Sequence, residues 1–173
     1  MAKSDSFFIR AKVTVSGGTF NQTEIDLGSF VNLGVSKSTL LRLHNVEAQY
    51  TDNSDKSAMI YYDGGIPGGL VRWQLTTQTY SAMVDSSYKS FVAGGGYSQA
   101  STTGVLVQNA DQTADANPKE WTNGYLIGVD SIFLGADSSA TWDSGDIDVT
   151  VVLECTLENA TQASSTALAL SQQ

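Results

Sequence analysis

Apolar and polar residues alternate in two segments, one near each end of the chain. In residues 146–158 one parity carries Ile147, Val149, Val151, Leu153, Cys155 and Leu157. The other parity is polar except for Val152. Near the start, one parity carries Phe7, Ile9, Ala11, Val13 and Val15, and the pattern stops at Gly17-Gly18. A period of two is typical of a strand with one buried and one wet face. The pattern therefore predicts a long strand at each end.

Shorter patterns predict further strands between these two. They cover residues 22–27, 39–51, 57–62, 70–79, 88–92, 104–108 and 124–134. Within 39–51 the apolar parity switches at His44-Asn45, which one extra residue, a β-bulge, explains. We predict 124–134 to be a single strand with Tyr125, Ile127, Val129 and Phe133 on one face. The glycine triplet 94–96 is predicted to be a flexible loop.

These strands, at spacings of about 8–16 residues, predict an all-β fold rather than βαβ units. We expect a single jelly-roll β-sandwich of about eight antiparallel strands. We assign residues 1–173 to one domain, with 1–6 as a short N-terminal arm and 159–173 as a C-terminal arm. The last fourteen residues fit a short helix, a free end or an arm ordered on a neighbour, and an exchanged or surface-lying arm is favoured.

Composition and charge narrow the functional classes. Hydrophobic residues make up 41% of the chain, enough for a core, and charged residues only 16%. The net charge of −9 comes entirely from residues 111–173, which hold ten acidic residues and one basic residue, Lys119. The chain lacks a basic arm or Lys/Arg-rich face, so direct nucleic-acid binding is not expected. No signal peptide or long apolar run is recognisable, so we expect a soluble chain made in a reducing cytoplasm.

The residues that usually carry catalysis are scarce. The chain has one histidine, His44, and one cysteine, Cys155. We interpret His44 as a partly buried or bulge residue and Cys155 as a buried, inert thiol. One His and one Cys cannot form the usual zinc ligand set, and no intrachain disulfide is possible. A glycosidase with two carboxylates stays formally open, although nothing in the sequence selects a pair. We therefore predict that the chain is not an enzyme and needs no cofactor.

Two residue groups are candidates for binding. Asp143, Asp146 and Asp148 cluster where a loop meets a strand, as calcium ligands do, although Asp is also common in turns for local hydrogen bonds. Trp73 lies on an inward parity and is predicted to be core, whereas Trp121 and Trp142 lie in loop-like segments. Exposed aromatic residues in loops suit a sugar platform or, more often, a subunit interface. We assign the interface to Tyr97, Trp121, Trp142, Leu168 and Leu170.

Several segments together carry a resemblance that is based on the layout of the predicted strands and on residue composition. They are SDSFFIRAKV with IDLGSFVN, LLRLHNVEAQYTD, WTNGYLIGVDSIFLG, and SGDIDVTVVLECTLE running into ATQASSTALALSQQ. Over most of its length the chain resembles the single jelly-roll capsid proteins of small tailless icosahedral viruses. The resemblance implies a virion structural protein, a capsid subunit that self-assembles or co-assembles into an icosahedral shell, made in the host cytoplasm. The competing interpretation is a carbohydrate- or cell-surface-binding β-sandwich module.

The start of the chain narrows the resemblance further. Many capsid proteins of small circular single-stranded DNA viruses carry an Arg-rich N-terminal arm, and this chain does not. It is more similar to the small capsid subunit of bacterial and archaeal viruses with an internal membrane. That similarity implies contacts with other copies, with a second capsid subunit and with the viral membrane. Lys3 and the faintly basic start would face the membrane, and the acidic last third would face outward or meet cations.

Overall fold

The structure is a computed structural model of the chain. It describes residues 5–33, 37–58, 60, 62, 68–102, 105–139 and 142–172, and for 101, 102 and 105–115 it describes the backbone only. Lys3 and most of the predicted N-terminal arm lie outside the described residues.

Nine antiparallel strands make up most of this part of the chain. They are β1 Phe7–Val15, β2 Asn21–Asp26, β3 Lys37–Asp52, β4 Gly69–Thr76, β5 Phe91–Thr102, β6 Val105–Ala116, β7 Tyr125–Ile127, β8 Ser131–Ser138 and β9 Ile147–Thr161. A 3₁₀ turn, Pro118–Glu120, precedes β7, and helix α1, Gln162–Ser171, follows β9.

The strands form two sheets with a crossed order. One sheet has the order β1-β9-β3-β7, and the other has the order β2-β8-β4-β5-β6. From β1 to β4, and again from β6 to β9, each consecutive strand changes sheet. This interlocked double-sheet order is the jelly roll, with β6 added beside β5 as a further edge strand. The predicted fold class is confirmed.

The inner faces of the two sheets form one hydrophobic core. The alternation read from the sequence is confirmed in β1 and β9, which pair along their length from Phe7 with Cys155 to Val15 with Ile147. Val149, Val151 and Leu153 are fully buried, whereas Val152 is partly exposed. Trp73 is buried in the same core, as predicted.

The predicted bulge in β3 is also confirmed. The pairing of β3 with β9 shifts between Leu43 and Asn45, so His44 is the extra residue. Leu43 before the bulge and Val46 after it are both buried in the core. The bulge therefore keeps the apolar side chains of a long strand on one face.

The prediction of a strand over 57–62 is wrong for its described residues. Residues 55–58 form a turn in which the Ala58 N–H donates to the Asp55 carbonyl. The Asp55 carboxylate accepts from the Ser57 N–H at 2.9 Å and from its hydroxyl at 2.7 Å. Such local bonds from Asp to backbone compete with strand pairing.

The glycine triplet is not a loop. Gly94 and Gly96 lie within β5, paired with Gln74 and Arg72 of β4. A Cβ at Gly94 would lie 2.7 Å from the Phe91 ring, and one at Gly96 would lie 2.8 Å from the Val71 carbonyl oxygen. These glycines therefore allow close packing inside a sheet rather than flexibility.

Residues 124–134 are two strands, not one. β7 joins the first sheet beside β3, and β8 joins the second sheet between β2 and β4. The chain turns at 128–130, where the Asp130 carbonyl accepts from the Leu27 N–H at 2.7 Å. Because the inward parity changes with the sheet, Ile132 and Leu134 are fully buried in place of Phe133.

The end of the chain is a helix lying on its own domain. Thr161 is the N-cap of α1, and its hydroxyl accepts from the Ser164 N–H. On the packed side, the Ser165 hydroxyl donates to Ser38 at 2.9 Å, and both residues are buried. The structure thus shows the short helix among the alternatives for this segment, and the assignment of 159–173 as an arm between copies stays a prediction.

Candidate interaction surface

Large apolar side chains stand exposed at four places in the described part of the chain. They are Phe8 (54% exposed), Tyr88 (48%), Trp121 (42%) and Leu170 (66%). A protein surface normally carries scattered apolar residues, so position and surroundings decide which of them matter. Phe8 and Trp121 lie at the two edges of the four-stranded sheet, in β1 and next to β7.

The turn that carries Trp121 is fixed to the bulge of β3 by Asn117. The Asn117 side chain donates to the Val46 carbonyl at 2.8 Å and accepts from the Val46 N–H at 3.4 Å. It also accepts from the Lys119 N–H and so caps the 3₁₀ turn. Asn117 is buried, so these bonds also satisfy its amide. Trp121 is therefore held by the sheet rather than by a free loop.

Gly124 brings the chain back against β3. Its φ of +62° is in the left-handed region, and a Cβ there would lie 2.3 Å from the Leu43 carbonyl oxygen. Only glycine fits both conditions. β7 begins at the next residue, Tyr125, whose ring lies 5.8 Å from the Trp121 ring. Burial raises the pKa of Tyr125, against a smaller opposing effect of a hydrogen bond with Gln172. Trp121 thus rests on a partly buried aromatic ring.

Lys119 and Glu120 directly precede this aromatic residue in the sequence. Glu120 is exposed, and the Lys119 ammonium lies 3.8 Å from the carboxylate of Glu47 in β3. We call Trp121 and Glu120 the Trp121 surface.

A polar groove of about 390 Å³ lies beside the Trp121 surface. Arg42 donates through two nitrogens to the Glu158 carboxylate and through a third to the Asn123 carbonyl. The hydrogen bond to Glu158 raises the pKa of Arg42. The His44 Nε2 lies 2.8 Å from the Thr156 hydroxyl. Arg42 is bonded to Glu158 and His44 lies within hydrogen-bond distance of Thr156, so these groups hold the structure of the groove. His44 is the partly buried bulge residue that we predicted.

Cys155 cannot supply a nucleophile to this groove. It lies fully buried on the inner parity of β9. Burial raises its pKa to about 12, with a smaller contribution from Glu154. A thiol with that pKa is protonated at neutral pH and is not nucleophilic, as predicted.

The opposite edge of the sheet carries Phe8 on the solvent face of β1. Phe8 and Arg10 share this parity, and the Arg10 guanidinium lies 5.9 Å from the centre of the Phe8 ring. Lys12 follows on the same face. We call Phe8 and Arg10 the β1 surface. The sequence analysis missed it, because Phe8 falls on the polar parity of an otherwise regular pattern, and that exception was the available signal.

The prediction that Trp142 is an exposed loop residue is wrong. Trp142 is 2% exposed, and its indole N–H donates to the Ser138 hydroxyl at 2.9 Å. Its ring lies 5.6 Å from Tyr62 and 6.0 Å from Tyr97. Tyr97 lies in β5 and is itself only partly exposed. These residues form an aromatic cluster at the end of the core, so Trp142 is not available on the surface of this chain.

The three aspartates of the proposed calcium site do not form a metal-binding group. Asp143 and Asp146 are exposed, whereas Asp148 is fully buried. Lys12 donates to the Asp148 carboxylate at 3.0 Å, and Lys56 is a second ammonium donor to it. The ammonium groups of these two lysines already compensate the negative charge of Asp148, which a bound cation would otherwise compensate. The predicted ligand set is therefore not assembled.

The predicted interface leucines differ in exposure. Leu168 is partly buried, and its Cδ2 lies 2.9 Å from where a Cβ at Gly128 would be. Leu170 points to solvent on α1. Leu168 therefore anchors the helix to β7 and its turn, and an interface role for Leu170 stays a prediction. Within the described residues, no helix has the length and apolar character needed to span a membrane.

Comparison with known proteins gives similarity in structure only. No family model matches the sequence, and no curated protein matches it. New Jersey polyomavirus VP1 is 5% identical, with 90% of this chain and 100% of that chain covered and a TM-score of 0.48. Merkel cell polyomavirus VP1 in complex with disialyllactose is 6% identical, with 93% and 98% covered and a TM-score of 0.49. Identities and TM-scores this low do not assign a function to the chain.

Proposed function

We propose that this chain is a structural subunit of an icosahedral viral shell, where it contacts other copies of itself. The observation that carries the proposal is the jelly-roll strand order, β1-β9-β3-β7 facing β2-β8-β4-β5-β6, over one closed core. A fold alone does not define a function, so the surface must support it. Two exposed aromatic residues held at opposite edges of one sheet suit contacts with neighbouring subunits.

The chemistry of the described residues agrees with a structural role. His44 and Arg42 are engaged by Thr156 and Glu158, and the Cys155 thiol is buried with a raised pKa. None of these groups is poised as a nucleophile with its base. These contacts support a role in contact with other subunits.

The finer assignment is to the small subunit of a virus with an internal membrane. It is supported by the charge of the given chain, which holds 18 acidic and only nine basic residues. Lipid between shell and genome removes the need for a surface that binds nucleic acid. In this arrangement a second, larger capsid subunit shares the shell, and the chain resides in the virion after synthesis in the host cytoplasm.

The carbohydrate-binding alternative has lost its main support. A sugar platform needs exposed aromatic rings, and Trp73 and Trp142 are both buried. Trp121 is the one exposed tryptophan, and its neighbours Arg42 and Glu158 bind each other. A single ring beside a satisfied ion pair is a weak site for a glycan.

The test is to separate particles from the source by density and quantify their proteins by mass spectrometry. The proposal predicts this chain in the particle fraction in many copies, with a second shell protein beside it. Removing lipid with detergent should release the shell proteins together if a membrane lies beneath them. Recovery of the chain only as a free glycan-binding monomer would overturn the proposal.

A further inference from the structure

We propose that the connection between β4 and β5, residues 77–90, is a strap that opens as a unit from the outer face of the five-stranded sheet. Both sheets stay folded when the strap opens, and the side-chain amide of Gln74 is its latch. This inference goes beyond the proposed function and does not depend on it.

Gln74 is fully buried although it lies on the outer face of its sheet. Trp73 and Leu75 of β4 are in the core, so Gln74 between them has the parity that points away from the core. The segment that covers it is the strap. Residues 77–90, all of which the structure describes, contain turns and bends but no helix or strand. A connection of this length without secondary structure is uncommon in compact domains and is usually functional.

The Gln74 amide binds the main chain of the strap on both sides of Met83. Its Nε2 donates to the Ala82 carbonyl at 3.3 Å, and its Oε1 accepts from the Val84 N–H at 2.7 Å. A glutamine amide has the donor and the acceptor of a peptide group, so it bonds main chain as a neighbouring strand would. Both ends of the buried amide are thereby satisfied, as burial requires.

A second glutamine in the same row of the sheet holds the strap nearer its start. Gln22 of β2 pairs with Gly135 of β8, and Gly135 pairs in turn with Gln74. The Gln22 Oε1 accepts from the Tyr80 N–H at 3.1 Å. Two glutamines of one row therefore hold the main chain of the strap, at Tyr80 and at 82–84.

The strap has the properties of a segment that opens by itself. Residues 81–82 and 85–89 are exposed, and 83–84 are only partly buried. Because opening exposes little apolar surface, it needs much less free energy than unfolding of the core. The two ends of the strap are joined, since the Thr77 N–H donates to the Ser90 carbonyl at 2.8 Å. The strap can therefore lift without separating β4 from β5.

Opening changes what the outer face presents. Gly94 and Gly135 flank Gln74 in the sheet, and a Cβ at either would lie 2.7 Å from an aromatic ring, that of Phe91 or that of Phe20. An open strap leaves the Gln74 amide free between these positions, with its donor and acceptor available to an extended main chain. The occupant of this groove is the strap of the same chain, which thus controls whether the face is covered.

Hydrogen exchange of the wild-type chain, resolved by residue with nuclear magnetic resonance, is the first test. The Tyr80 and Val84 amides should exchange with one common free energy of opening, because one motion releases both. That free energy should be smaller than the value for amides of β8, which need the sheet to unfold. Exchange of Tyr80 and Val84 together with β8 would overturn the inference, and so would a complete lack of protection at both.

Substituting each glutamine distinguishes a strap that opens as a unit from two independent contacts. Gln74→Met should speed exchange at Tyr80, whose N–H is bonded to Gln22, by about 10- to 100-fold, the effect of losing two hydrogen bonds. Gln22→Met removes one bond and should speed exchange at Val84 by about 2- to 10-fold. Amides of β8 should change less than these in both variants.

Gln49→Met is the matched control, because Gln49 is an exposed glutamine of β3 in the other sheet. It should leave exchange at Tyr80 and Val84 unchanged. Faster exchange at Val84 alone in Gln74→Met would contradict opening as a unit. An equal increase in β8 would mean that Gln74 holds the whole domain, and it would overturn the latch. If Gln74→Met does not fold, Gln22→Met and the wild-type chain still decide.

Discussion

A buried carboxylate, Asp148, joins three segments of the chain. It accepts from Lys12 and Thr14 of β1 and from Asn53 and Lys56 of the loop after β3. Burial alone would raise its pKa, but the hydrogen bonds from Lys56, Thr14, Asn53 and Lys12 outweigh it and hold the pKa well below its usual range. The ionised form therefore stabilises the folded chain.

Asp148→Asn should lower the free energy of unfolding at neutral pH by about 1–3 kcal/mol, the value of hydrogen bonds to a charged group. Because the folded pKa is lowered, this contribution is present above the ordinary Asp pKa of about 3.9 and is lost as the pH falls toward the folded value. Urea unfolding at neutral pH and near pH 3 measures it. The difference between wild type and variant should shrink in acid, and Asp146→Asn, an exposed neighbour, should change neither value.

Two tryptophans in similar loop sequences have opposite environments. Trp142→Ala should cost about 3–5 kcal/mol, because it empties a buried aromatic site. Trp121→Ala should cost less than about 1 kcal/mol, because its ring is partly exposed. Urea unfolding of the two variants compares them directly. Equal losses would mean that the packing described for Trp142 is incorrect.

The sequence could not separate these two tryptophans. Trp142 is buried by Tyr62 and Tyr97, which lie far from it in the chain and reach it only through the fold. Local composition records neither contact. Trp73, in contrast, lies on the inward parity of a regular strand, and its burial followed from that parity.

At the scale of elements, helix α1 is fixed to the domain through Gln172. Its side chain accepts from the Gly128 N–H at 2.9 Å and donates to the Leu126 carbonyl at 2.6 Å. Its own carbonyl accepts from the Thr77 hydroxyl at 2.6 Å. One buried glutamine thus connects the end of the helix to both sheets.

Gln172→Ala should leave the Gly128 and Leu126 backbone groups without these partners and cost about 1–3 kcal/mol. The loss should be local, so hydrogen–deuterium exchange should rise in α1 and in 126–128 more than in β9. Gln162→Ala, at the exposed start of the helix, is the control. Unchanged exchange in α1 would contradict the anchoring role of Gln172.

The bulge in β3, helix α1 and the glycines of β5 differed in how far the sequence predicted them. The bulge at His44 was predictable, because a change of parity in one strand is local. Helix α1 was only one of three alternatives, because its two buried positions, Ser165 and Gln172, are polar and Leu168 alone does not make an apolar period. The glycines of β5 resembled a loop, since their packing depends on β4, a different strand.

At the scale of the whole molecule, the jelly roll depends on pairing between distant strands. β1 and β9 come from opposite ends of the chain and lie side by side in one sheet. Alternation predicted β1, β9 and the fold class, but it does not specify the order in which the strands pair. The order places Phe8 and Trp121 at opposite edges, and this relation exists only in the folded chain.

Electron microscopy of the purified chain over a range of concentrations tests the central claim, that this jelly roll is an assembly subunit, most directly. The account predicts assemblies of many copies, up to closed shells, that become more abundant as concentration rises. Asp148→Asn should reduce them only where the chain unfolds, whereas Trp121→Asp should remove them from a folded chain. Folded wild-type protein that stays monomeric at every concentration, both alone and after mixing with the second shell protein, would contradict the account.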